Sequence, residues 1–187
     1  MRNFHSLLLA AGKGTRAGGP KIWRDQGGRT MIERQLDFLL HLFVPENVVV
    51  SVQQDWLTRC RQVNPHVRLT AVDPSASPLA SLQELLKALP PGQGFFLHHI
   101  DMPVFDREVF AALARAASQD AAAGAAVPVH GGRRGHPVFI KAAEVSSVLR
   151  LDPARDRLDH WLRTRKAVEV EVAFAGIHEN LNNAENI

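Results

Sequence analysis

The sequence predicts an α/β protein built on a mostly parallel central sheet. Three observations predict it. Short apolar runs bounded by glycine, proline or an acid recur along the chain, stretches of helical period separate them, and no internal repeat, long linker or composition break divides the 187 residues. We expect one domain over residues 1–187, large enough to bury a real core.

The elements follow in order. Phe4 to Ala10 is an apolar run ending at glycine, the pattern of a buried strand. "TMIERQLDFLLHLF" has helical spacing, with Thr30 as N-cap and Glu33 three residues later completing a capping box; Pro45 and Asn47 break it. "NVVVSV" and "VRLTAVD" are two further strands. "ASLQELLKAL" is helical and stops at Pro90-Pro91-Gly92, and "GFFLHHID" is a strand that ends on an acid. "DREVFAALARAA" is a helix capped by Asp106, and the alanine-rich "AASQDAAAGAA" is its end and the following loop. "GAAVPV" and "HPVFI" are strands on either side of a "HGGRRG" turn. "AAEVSSVL" and "DRLDHWLRT" are helices, and "AVEVEVAF" alternates as a half-exposed strand with solvated glutamates.

Composition excludes several function classes. Apolar content of 45% and charged content of 22% are ordinary for a globular protein. The net charge of +3 is mild and no Lys/Arg block occurs, so nucleic acid is not an expected partner. No run approaches a membrane span, so no membrane partner is expected either. "SLLLAA" is too short for a signal peptide and flows straight into glycines, which predicts a cytoplasmic protein. Cys60 is the only cysteine, so neither a disulfide framework nor a cysteine zinc site forms within the chain.

The chemistry concentrates after the first strand. Gly12, Lys13, Gly14, Arg16, Gly18, Gly19 and Lys21 place four glycines and three cations within ten residues. Glycines let backbone approach a ligand closely, and the cations mark that ligand as anionic. A P-loop requires glycine-lysine followed by Ser or Thr, and a dinucleotide fingerprint requires G-x-G-x-x-G opening a helix; neither spacing occurs. A loop wrapping a triphosphate with its own N–H groups remains, against a plain surface turn. Ligands of such sheets bind beyond the carboxyl ends of strands, where both this loop and Asp101 fall.

"LAAGKGTRAGGPK" is similar to the L-A-A-G-x-G-x-R-x-G-x-x-K signature of nucleotidyltransferases with a GT-A-like, three-layer Rossmann-like fold. Gly18 and Gly19 both offer its last glycine. Within that superfamily the chain most resembles the molybdenum-cofactor nucleotidyltransferases, through "SPLASL" (Ser77 to Leu82), "DMP" (Asp101 to Pro103) and "RGHPVF" (Arg134 to Phe139). The last is more typical of the cytidylyl branch, whereas "SPLASL" echoes the guanylyl P-L-A-G-L, so CTP is favoured and GTP stays open.

The resemblance implies a Mg2+-dependent enzyme that transfers a nucleoside monophosphate to the phosphate of molybdopterin and releases pyrophosphate. It implies nucleotide binding by Leu9, Ala10, Ala11, Gly12, Lys13, Gly14, Thr15, Arg16, Lys21, Pro78, Leu79 and Ser81. Arg16, Lys21 and Asp101 are the catalytic residues, with Arg16 on the outgoing phosphates and Lys21 on the α-phosphate. Asp101 and Asn182 are the metal positions, and Arg134, Gly135, His136 and Pro137 line the acceptor site. A transient contact with a molybdoenzyme or cofactor chaperone is implied as well. The ending "NLNNAENI" departs from the family's D-x-D-T-P-E-D-L-like pattern, and one neutral oxygen at Asn182 binds metal more weakly than a carboxylate. Two alternatives stay open: transfer to a sugar or polyol phosphate, and a nucleotide-binding regulator without catalysis.

His98 and His99 stand outside the family pattern. Two histidines beside a carboxylate are a transition-metal donor set. Strand alternation turns them to opposite faces, however, which predicts instead that one is buried and hydrogen-bonded. Trp23, Trp56 and Trp161 lack the spacing of a stacking platform and are read as packing residues.

Overall fold

The computed structural model describes residues 1, 3–14 and 19–181. The first strand is β1 (His5–Leu9), followed by α1 (Met31–Leu42), β2 (Val48–Val52), α2 (Leu57–Val63), β3 (Arg68–Ala71), α3 (Pro78–Lys87) and β4 (Phe95–His99). Then come α4 (Arg107–Gln119), β5 (Ala125–His130), β6 (Arg133–Arg134), β7 (Val138–Ile140), α5 (Val145–Leu149), α6 (Leu158–Arg163) and β8 (Ala167–Glu171).

Among the described residues the strands lie in the order β3-β2-β1-β4-β7-β5-β6, with β8 pairing β5. The first four strands are mutually parallel, β7 runs antiparallel to β4 and β5, and β8 is parallel to β5. From β1 the chain moves outward through α1 to β2 and through α2 to β3. It then returns by α3 to β4, on the other side of β1. Strand order therefore reverses between β1 and β4, and a crevice opens there at the carboxyl ends of both strands.

Alternation along the strands builds one core on each face of the sheet. Leu8, Val48, Val50, Phe96 and Phe139 pack with α1, α2 and α4. Leu7, Leu9, Val49, Phe95, Leu97 and Ile140 pack with α3, α5 and α6. This is the three-layer arrangement expected from the sequence. Glu33 accepts hydrogen bonds from the Thr30 backbone N–H and hydroxyl, both at 2.6 Å, at the start of α1. Asp106 accepts from Glu108 and Val109 N–H at the start of α4, so both capping signals act where expected.

Three details differ. Helix α2 was not expected, because "LTRCRQV" is short and buries only Cys60. The "HGGRRG" turn contains strand β6, for which Gly131 and Gly132 adopt positive φ. The β8 glutamates are not simply solvated: Glu169 pairs with Arg134 at 2.7 Å and Glu171 accepts from the Gly131 N–H. No helix among the described residues is long and apolar enough to cross a membrane.

Candidate active site

The crevice between β1 and β4 is built first from backbone. Ala10 N–H donates to both the carbonyl oxygen (3.1 Å) and Oγ (3.2 Å) of Ser51, and Gln53 Nε2 donates to the Ala11 carbonyl. Ile100 N–H donates to the Leu9 carbonyl. The start of the glycine loop is thereby tied to β2 and β4, and among the described residues no hydrogen bond engages the N–H groups from Ala11 to Gly14. Gly14 has φ +64°, and its carbonyl accepts from Gly19 N–H at 3.2 Å. A Cβ at Gly14 would lie 1.9 Å from the Gly19 oxygen, so only glycine fits this crossing.

Lys21 enters from a single 3₁₀ turn, Lys21–Trp23, anchored by buried Ile22. Its Nζ lies 2.7 Å from Asp101 Oδ2, with the two side chains 12% and 19% exposed. Burial pushes the Asp101 carboxyl upward, but the hydrogen bond and charge of Lys21, helped by His99, outweigh it and hold the group below the usual aspartate range. The Asp101 carbonyl accepts from Leu181 N–H at 2.9 Å, and Arg24 Nη1 donates to the Leu181 carbonyl. The far end of the described chain is thus docked on the strand-terminal acid.

Two cavities adjoin here. The smaller, about 180 Å³, is walled by Leu9, Ala11, Gly12, Gly14, Lys21, Asp101, Pro78 and Ser81, together with Ser51, Asp73 and His99. The larger, about 660 Å³, has an apolar floor that includes Leu97, Val127, Val138, Ile140 and Leu162. Arg134, Arg157 and Arg163 stand on its wall with Asp156 and Asp159. Pro78 and His99 belong to both.

Of the residues implied by resemblance, eight converge on the smaller cavity. Ala10 is a core residue with its N–H engaged by Ser51, and Lys13 turns away to donate to Ser75 Oγ at 2.7 Å. Leu79 lines the larger cavity with Arg134, Gly135 and His136, and Pro137 is not among its lining residues. Thr15, Arg16 and Asn182 lie outside the described residues. Sequence reasoning missed Asp73, although "VRLTAVD" ends on an acid just as "GFFLHHID" does. It also missed the wall contributed by α6, for which no local signal exists.

The histidines divide as strand alternation requires. His98 is buried against Phe110, ring centroids 5.2 Å apart and nearly parallel, but its Nε2 has no hydrogen-bond partner among the described residues. The expected hydrogen bond is replaced there by stacking. Burial, reinforced by His136 and His99, pushes the pKa of His98 down to about 3. Unfolded, the ring would take up a proton below its ordinary pKa, whereas folded it stays neutral, so His98 costs stability as pH falls from 6.5 toward 3. His98→Phe should abolish that part of the acid slope, gaining about 1.4 kcal/mol over wild type for one pH unit below 6.5, read by denaturant titration across pH. An unchanged slope would show that His98 is not held neutral. Among the described residues no group of three His, Cys, Asp or Glu side chains is placed to hold a metal.

A glycine loop over a small cavity, a strand-terminal Asp–Lys pair and a larger adjoining pocket thus lie together at the carboxyl ends of β1 and β4. The description "MobA-like NTP transferase domain" matches residues 6–170. The chain belongs to this family. No curated protein matches it by sequence. Solved structures share the fold of this MobA-like NTP transferase at low identity. Rv0371c from Mycobacterium tuberculosis H37Rv superposes with TM-score 0.81 at 17% identity, over 98% of this chain and 95% of its own. Another structure of Rv0371c is a complex with manganese. Molybdopterin-guanine dinucleotide biosynthesis protein A from Archaeoglobus fulgidus gives TM-score 0.65 at 18% identity, over 90% and 84%. 4-Diphosphocytidyl-2C-methyl-D-erythritol synthase from Anaerococcus prevotii gives 0.69 at 16%, over 98% and 94%.

Proposed function

We propose that this NTP transferase moves CMP from CTP, or GMP from GTP, onto the phosphate of molybdopterin and releases pyrophosphate, acting as a single cytoplasmic domain. The observation that carries the reading is the Lys21–Asp101 pair in the wall of the smaller cavity, which adjoins a larger cavity of different character through Pro78 and His99. The smaller cavity, beneath backbone N–H groups, suits phosphates. The apolar floor of the larger one suits a flat ring better than a sugar or polyol phosphate, whose hydroxyls would face Leu97, Val127, Val138 and Ile140 without partners.

A phosphate monoester is already anionic near neutral pH, its second pKa being about 6, so the nucleophile needs no general base. An acceptor oxygen bonds to the α-phosphorus and the bond to the bridging α–β oxygen breaks, with both electrons leaving on pyrophosphate. The chain's work is alignment and charge neutralisation. N–H groups from Ala11 onward cradle the triphosphate, Lys21 faces the α-phosphate, and Arg16 takes the outgoing phosphates by family resemblance. One Asp carboxylate beside a phosphate site fits Mg2+, which prefers one or two carboxylates with phosphates and water. Asp101 would hold it, with Asn182 as a weaker second donor, and the ion would supply further positive charge to the departing phosphates.

The test is thermal stability with CTP, GTP, ATP and UTP, each with and without Mg2+, followed by pyrophosphate release on adding molybdopterin. A nucleotide at 100 times its Kd stabilises by about 2.7 kcal/mol, a readily measured shift in Tm. A metal-dependent shift with CTP or GTP, followed by turnover, is the expected result. No shift with any nucleotide would overturn the reading, and a shift without turnover would favour the non-catalytic regulator.

A further inference from the structure

We propose that His99 is a catalytic residue of this chain that holds the acceptor phosphate against the α-phosphorus; the inference rests on the transfer function proposed above. Among the described residues, His99 and Pro78 wall both cavities, and Pro78 has no side-chain donor. It is the last residue of β4, and strand alternation turns it away from buried His98 and toward the face that carries Leu97, in the floor of the larger cavity.

Its ring is left available. Among the described residues no hydrogen bond engages either ring nitrogen of His99, whereas His130 and His178 each meet a backbone carbonyl. Its one ring neighbour is His136, edge-on at 5.2 Å, which also lines the larger cavity and whose buried Nδ1 has no partner there. Two imidazoles with unspent hydrogen-bonding capacity therefore converge beside the Lys21–Asp101 pair. A phosphate monoester whose ring lay on the apolar floor would bring its oxygens to this point.

The role requires no proton transfer. A ring N–H of His99 donates to a non-attacking oxygen of the acceptor phosphate, leaving another oxygen free to bond to phosphorus. His136 fixes the edge of that ring.

The probe is phenyl phosphate, titrated calorimetrically into the protein saturated with Mg2+ and α,β-methylene-CTP, whose α–β bridge cannot be cleaved. Wild type is expected to bind it. His99→Ala should weaken that binding about tenfold or more while leaving affinity for the nucleotide analogue within about twofold, since one hydrogen bond to an anion is removed. His99→Asn, which retains an N–H donor, should recover part of the loss, a rescue that mere packing would not give. With molybdopterin, His99→Ala should raise the acceptor KM more than it lowers kcat. Unchanged phenyl phosphate binding in His99→Ala, or none in the wild-type ternary complex, overturns the inference. Loss of all nucleotide binding in wild type would instead overturn the transfer function, so the two failures are distinguishable.

Discussion

Lys21→Met should lower kcat/KM for nucleotidyl transfer by about a thousandfold while the protein remains folded. Removing one preorganised group from a site where charge develops costs roughly 10²- to 10³-fold, and here the group also neutralises the triphosphate before reaction. The substitution has a second signature, in stability. Asp101 is 19% exposed and its carboxylate is matched by Lys21 at 2.7 Å. Methionine fills the space but leaves that charge without its lysine, at a cost of about 1–3 kcal/mol at neutral pH. The sign with pH follows from the depressed pKa. Ionised Asp101 contributes stability above the ordinary aspartate pKa, and wild type loses it as pH falls through the lowered value. The gap between wild type and Lys21→Met should therefore narrow as pH drops below about 4. Activity within a few-fold of wild type would remove Lys21 from the mechanism. A gap that did not narrow would mean that the ion pair contributes nothing to folding. Asp101→Asn is the companion measurement: transfer should fall as steeply, and the metal dependence of the nucleotide-induced Tm shift should disappear.

Gly14→Ala should abolish nucleotide binding at concentrations that saturate wild type, with little change in the unliganded Tm. At φ +64° an L-residue is strained by roughly 1–2 kcal/mol, and the added methyl would collide with a backbone oxygen that cannot yield as a side-chain end would. The loop must therefore leave its crossing with Gly19, carrying with it the N–H groups from Ala11 onward. The sheet does not depend on that crossing, because Ala10 and Ala11 are held by Ser51 and Gln53. Gly12→Ala is the control. No heavy atom lies within 4 Å of a Cβ placed there, and its φ is not positive, so the fold should be indifferent to it. Equal nucleotide affinity for Gly14→Ala and wild type would show that this loop does not bind phosphates.

The fold was legible because its signals are local. Among the described residues, seven longer strands and five helices follow runs of three to thirteen residues, and the caps at Thr30 and Asp106 act over one helical turn, whereas the Ser77 cap, which precedes the expected helix "ASLQELLKAL", was not read. Helix α2, seven residues that bury only Cys60, went unread, although α5 and α6 are shorter and bury one side chain each. Within the site the glycine loop and Asp101 were legible for a similar reason: each is a departure from ordinary composition at the end of an apolar run. Asp73 carries the same mark and was passed over, since no motif such as the "DMP" at Asp101 accompanies it. Arg157, Asp159 and Arg163 could not be read at all. On their own short helix they look like a solvated face, and only the placement of α6 over the sheet turns them toward a cavity.

By itself, the sequence determined the α/β class, the glycine-rich loop that follows the first strand and the acid that closes the fourth strand, because each depends on residues adjacent in the chain. Tertiary structure alone decided that Lys21 meets Asp101 across a separation of 80 residues and that two cavities share a wall at His99. It also decided which of two neighbouring histidines is spent on the core. Those facts follow from β4 inserting beside β1 and reversing the strand order. That choice is set by the summed burial on both faces of the sheet, a long-range quantity that no single stretch of sequence contains.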